Sequence, residues 1–159
     1  MEISEIIRII PEMEGCKIYM PSVTPNVVPL SLPDDIRFFY RNLGGCDLFM
    51  NKDYCIRIVN PYEFVKTNLK MVGSDENDDI SDYWFVIADT FDGGYISIDL
   101  HSDRFGRCYD SSLGNHAMRG QCKIIASSFT DFLFRQLNNK GDYWYWLKPG
   151  FNSIGDAYS

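Results

Sequence analysis

An α+β chain is what this sequence predicts, and two features predict it. A hairpin signal at Phe85–Leu100 runs on into a further strand, which makes an antiparallel meander of at least three strands. Two capped, amphipathic helices, one opening at Pro33 and one at Ser128, stand outside that meander. With 159 residues, 45% of them hydrophobic, the chain has the usual length of one domain and apolar surface for one core.

At the start, Ile3, Ile6, Ile7 and Ile10 share a helical face until Pro11 stops or kinks it, and Cys16–Met20 suits a short strand. Pro21, Pro25 and Pro29 then break any regular pattern, so the stretch up to Leu32 is a connector. Pro33 suits a helical first turn, Asp34 and Asp35 favour the positive end of the dipole, and Ile36, Phe39, Tyr40 and Leu43 form the apolar stripe. Gly44-Gly45 ends that helix. Tyr54, Ile56 and Ile58 alternate with Cys55 and Arg57 as a strand does. Asn60-Pro61-Tyr62-Glu63 reads as a cap, so a helix is expected to follow at once, burying Val65, Leu69 and Val72 and closing at Gly73. Ser74–Asp82 has the composition of a solvated loop and carries the densest negative charge in the chain.

In the hairpin, Asp92-Gly93-Gly94 tolerates the positive φ that a tight turn requires. Ile96, Ile98 and Leu100 share a core-facing side, which leaves Tyr95, Ser97 and Asp99 for solvent or a partner. A turn at His101–Phe105, a strand at Gly106–Tyr109, a loop from Asp110 to Gln121 and a strand at Cys122–Ala126 follow. Ser128 and Asp131 then open a helix whose buried side is Phe129, Phe132, Leu133 and Leu137, and Asn138–Gly141 ends it. The aromatic tail Tyr143–Leu147 is expected to pack over a sheet edge, with a partner-binding patch as the alternative.

A formal net charge of −7 argues against an unaided binder of polyanions; a basic partner is the more natural one, beside the plainer reading that an acidic surface only keeps the chain soluble. The five cysteines are scattered and odd in number, as expected of reduced, mostly buried thiols. The chain shows neither a secretory leader nor an apolar run long enough for a membrane span, so a cytoplasmic protein is expected. Catalytic patterns are weak. His101-Ser102-Asp103 are adjacent and point apart, so they cannot form a nucleophile, base and orienter. Asp89, Asp92 and Asp99 could pair as carboxylates, but turn chemistry accounts for Asp92 and an outward strand position for Asp99. His101 and His116 lack metal-ligand spacing, and Gly44-Gly45 and Gly93-Gly94 lack phosphate-loop context, so no cofactor or metal is expected.

Four motifs in order carry a resemblance. Leu32-Pro33-Asp34-Asp35-Ile36 with Asn42-Leu43-Gly44-Gly45, the hairpin Phe85–Leu100, the strand Gly106–Asp110, and Ile125-Ala126-Ser127-Ser128-Phe129 through Leu133 together resemble the SUKH superfamily, which includes fungal cell-wall-synthesis regulators of the Smi/Knr type. The resemblance spans 32–137, and 138–159 is an aromatic C-terminal extension of a single 1–159 domain. Leu43 interrupts the Asn-Gly-Gly element, a departure that bears on the subgroup. The resemblance implies a mostly antiparallel sheet with helices packed beside it and no enzymatic activity. It also implies an immunity protein that neutralises a polymorphic or contact-dependent toxin, many such toxins being nucleic-acid-directed; the alternative is a regulatory scaffold. The expected partner is thus a toxin with a basic cleft, with no direct nucleic-acid or membrane contact, and the oligomeric state is left open. Asp75, Glu76, Asp78, Asp79 and Asp82 form the expected steering strip with Tyr83 as an anchor nearby, and Asp92, Tyr95 and Asp99 are placed on the exposed part of the sheet.

Overall fold

A computed structural model describes residues 1–159. Its frame is an open seven-stranded antiparallel sheet in which each strand pairs with the next in sequence. The strands are β1 (Lys17–Ile18), β2 (Cys46–Leu48), β3 (Ile56–Ile58), β4 (Trp84–Asp89), β5 (Tyr95–Asp99), β6 (Cys108–Ser111) and β7 (Ile124–Ala126). With helices α1 (Ile3–Ile9), α2 (Asp34–Asn42), α3 (Thr67–Met71) and α4 (Phe129–Asn139), the fold is α+β, as the sequence predicts.

The hairpin is where expected. β4 and β5 pair from Trp84 with Asp99 to Asp89 with Tyr95. In the turn the Asp92 carboxylate accepts the Gly94 N–H at 3.1 Å and the Thr90 hydroxyl at 2.5 Å, while Gly93 takes φ +89°.

Helices α1, α2 and α4 cover one face of the sheet. Ile6, Ile36, Phe39, Phe129 and Phe132 are buried in one cluster with Ile56, Ile96 and Ile98. Phe39 meets Phe129 edge-on at 5.0 Å, and the Tyr40 hydroxyl donates to the Val59 carbonyl at 2.7 Å. Full burial of one such aromatic contributes roughly 2–3 kcal/mol. The Ser128 hydroxyl accepts the Asp131 N–H at 3.0 Å and so caps α4, which ends at Lys140 with φ +54°. Trp144 and Trp146 stack at 5.2 Å within the same core, and the Tyr145 hydroxyl donates to the Ile125 carbonyl of the edge strand β7. The aromatic tail therefore packs over the sheet edge. All five cysteines are free thiols; Cys46, Cys108 and Cys122 are buried, and burial pushes the Cys122 thiol up to about 12. No helix is long and apolar enough to cross a membrane.

β2 is a strand that the sequence reading does not anticipate, and two local expectations change. β2 has no alternating pattern because Cys46, Asp47 and Leu48 are all buried. Asp47 is accommodated there by Arg57 at 2.6 Å and the Tyr19 hydroxyl at 2.6 Å. The helix expected after Pro61 is delayed: Asn60 accepts the Tyr62 and Glu63 N–H groups as a cap does, but Val65–Lys66 then turns extended. There the Val65 carbonyl takes the Val86 N–H at 2.8 Å, so an otherwise unpaired stretch of β4 claims the backbone before a helix can form. The five-residue α3 follows and buries Thr67 and Asn68, whereas Leu69 and Val72 are 46% and 60% exposed. The hairpin side opposite Ile96 and Ile98 is likewise covered, because α3 and the segments around His116 and Tyr158 form a second layer there: Ser97 and Asp99 are both 0% exposed.

Candidate functional site

This second layer carries an unbroken hydrogen-bonded chain. The Thr67 hydroxyl lies 2.8 Å from that of Ser97, which lies 2.6 Å from Ser111 Oγ. Ser111 meets His116 Nδ1 at 2.9 Å, and His116 Nε2 meets Asn68 Oδ1 at 2.6 Å. The Asn68 amide then donates to Ser81 Oγ at 2.9 Å and to Asp82 at 3.2 Å. Ser81 donates to Asp79 at 2.5 Å, and the Tyr158 hydroxyl donates to the same carboxylate oxygen at 2.6 Å. Thr67, Asn68, Ser81, Ser97, Ser111 and His116 are all buried. Burial pushes the His116 imidazole down to about 4, against a smaller opposite pull from the Asp79 charge.

Serine, imidazole and carboxamide in contact resemble a hydrolytic triad, yet Ser111 is 0% exposed and its Oγ cannot meet a substrate. No group of three or more His, Cys, Asp or Glu side chains is arranged to hold a metal ion.

The chain ends at the wall of a groove of about 890 Å³. The connector from Asn26 to Leu30, the acidic segment from Asp75 to Tyr83 and buried Phe64 and Phe85 line it, together with Lys66 and Arg104. Six of the expected partner-binding residues, Asp75, Glu76, Asp78, Asp79, Asp82 and Tyr83, line it together. None of the five acids is in an ion pair. Glu76 and Asp78 are exposed and Asp75 is half-buried.

Asp79 and Asp82 differ from the free carboxylates of a solvated loop. Burial works against the Asp79 charge, but donation from Ser81 and Tyr158 outweighs it and holds the carboxyl below its usual range. Burial likewise opposes the Asp82 charge and is outweighed by the N–H groups of Asn77 and Asp79 and by the Asn77 and Asn68 amides. Tyr83 is 38% exposed and sits edge-on to His101 at 4.7 Å.

The other three expected residues lie apart. Asp92 and half-buried Tyr95 are at the hairpin tip, about 20 Å from Tyr83 along β4 at 3.3 Å per residue. Asp99 corrects the expectation of an open sheet face, since its carboxylate is enclosed by Arg104 Nε at 2.9 Å, the Tyr109 hydroxyl at 2.6 Å and the His101 N–H at 3.0 Å. It orients Arg104, which reaches the groove. Sequence reasoning also misses Asn68 and His116. They are 48 positions apart, and no spacing signal links a polar residue of a short helix to one in a distant loop.

Comparison with known proteins adds to this geometry. The sequence model of the SMI1/KNR4 family (SUKH-1) matches residues 26–135. The chain is 41% identical over 159 residues to "Immunity protein YokJ" of Bacillus subtilis (strain 168), with 99% of this chain and 96% of that protein covered. No solved structure matches.

Proposed function

This chain belongs to the SMI1/KNR4 family (SUKH-1), and from that membership we propose that it is an immunity protein, one that binds a cognate toxin and blocks its active site. The observation that carries this reading is the end-to-end similarity to a protein named for immunity. We further propose that the toxin acts on nucleic acid. A nuclease cleft is basic because it holds phosphates, and a protein of net charge −7 with five unpaired acids along one groove complements such a cleft. In this reading Asp75, Glu76 and Asp78 steer the approach, Asp79 and Asp82 present fixed carboxylates, and Tyr83 is an aromatic anchor. Asp92 and Tyr95, at the hairpin tip, join only where the toxin extends along β4. The action is occupancy of the cleft, in the cytoplasm where the toxin would otherwise meet its substrate.

Identifying the adjacent gene and co-expressing its product, the toxin this reading expects there, tests the proposal. Growth should be rescued, and the purified pair should bind by calorimetry at moderate salt. Failure of rescue together with absence of heat rejects the immunity role; rescue from a toxin without nucleic-acid activity rejects only the finer assignment.

A further inference from the structure

We propose that Asn68 and His116 are positioning residues that fix the acidic wall of the groove, an inference that rests on reading the groove as the partner's docking face. The buried chain has a single direction. Ser81 spends its proton on Asp79, and Asp82 is an acceptor, so towards Asn68 both can only accept. The Asn68 amide nitrogen must face them, which leaves its carbonyl oxygen for His116. His116 therefore carries its proton on Nε2 and accepts at Nδ1 from Ser111; Ser111 accepts from Ser97, and Ser97 from Thr67.

Reversing the order would set the Asn68 oxygen against the Asp82 carboxylate. The charge of the loop thus orders hydroxyls on β5 and β6, and the sheet in return holds Ser81, Asp79 and Asp82 in place. Apart from Asn68, Tyr158 is the one side chain from outside the loop that reaches these two carboxylates. A wall built this way is formed before a partner arrives, so binding does not have to order it.

Amide exchange, nitrogen spectroscopy and association kinetics test this on the full chain. In the wild-type protein, ¹⁵N shifts should show a neutral His116 protonated at Nε2. Asn68→Leu, close in volume, should speed exchange at the Ser81 and Asp82 amides by about tenfold or more while Ile96 and Ile98 in β5 keep their protection. It should also slow association with the cognate toxin identified by the rescue experiment by about tenfold. In an Asp79→Ala, Asp82→Ala background, Asn68→Leu should add no further slowing, a non-additivity that a general loss of stability does not produce. Unchanged exchange at Ser81 and Asp82, a proton on Nδ1, or additive slowing overturns the proposal. Should Asn68→Leu fail to fold, Ser81→Ala cuts the same chain at one link and must give the same exchange change. Absence of toxin binding by the wild type rejects the immunity reading alone, because exchange and tautomer decide the positioning in the free protein.

Discussion

The carboxylate of Asp35, at the start of α2, accepts both the backbone N–H of Thr130 at 2.9 Å and its hydroxyl at 2.8 Å, and so closes the first turn of α4 from 95 residues away. An orphan donor at one helix terminus is satisfied by the terminus of another, which fixes how the two helices meet at Phe39 and Phe129. Asp35→Ala removes both bonds and leaves the Thr130 N–H without its partner. A loss of about 1–3 kcal/mol is expected, with an unchanged denaturant slope, measured by urea unfolding. A loss within error would mean that the apolar contacts alone set this junction.

His116 makes stability depend on pH. Its folded value of about 4 lies below the ordinary 6.5, so between these values the unfolded chain binds a proton that the folded chain does not. Stability therefore falls as pH drops from about 6.5 to about 4, and this group costs nothing further below that. The full span is worth about 3 kcal/mol at most, at 1.36 kcal/mol per pH unit. Depressed Asp47, Asp79 and Asp82 add losses only at lower pH, as each protonates through its own folded range. Unfolding free energies measured from pH 7 to 4 should show this slope, and His116→Gln should flatten it.

Asp99 should matter to stability first and to recognition only through Arg104, which it orients at the groove. Asp99→Ala leaves Arg104, the Tyr109 hydroxyl and the His101 N–H without their shared acceptor in a fully buried position. Removing one partner of a buried pair costs about 3–5 kcal/mol. Thermal unfolding should register that loss, whereas association of the remaining folded protein with its toxin should slow by about threefold at most, the share carried by Arg104. A tenfold slower association with little loss of stability would put Asp99 back on the docking face.

What the sequence makes legible follows from range of interaction. The Phe85–Leu100 hairpin, the Pro33 helix and the Ser128 helix are set by neighbours within a few residues, through turn glycines, caps and apolar stripes, and all three stand where those signals place them. The α3 region fails because its cap at Asn60 is real but the backbone beyond it is claimed by β4, an element about 20 residues on. Ser97 and Asp99 fail for a related reason: alternation tells which residues share a side, not whether a second layer covers that side. Of the candidate site, charge density exposes the acidic segment, while the connector that lines the same groove and the Asn68–His116 link behind it are tertiary and leave no local trace.

The exposed acids give the most direct test of charge-driven docking. Asp75→Asn, Glu76→Gln and Asp78→Asn together remove three negative charges and take the formal net charge from −7 to −4. None of the three is in an ion pair, so stability should stay within about 0.5 kcal/mol of wild type. Their effect should instead fall on encounter. Association at low salt should slow by about tenfold and its dependence on ionic strength should flatten, while dissociation, governed by buried contacts such as Tyr83, changes little. Stopped-flow mixing with the toxin across a salt series separates the two rates. If the triple variant associates at the wild-type rate with the wild-type salt slope, this wall of the groove does not steer the partner.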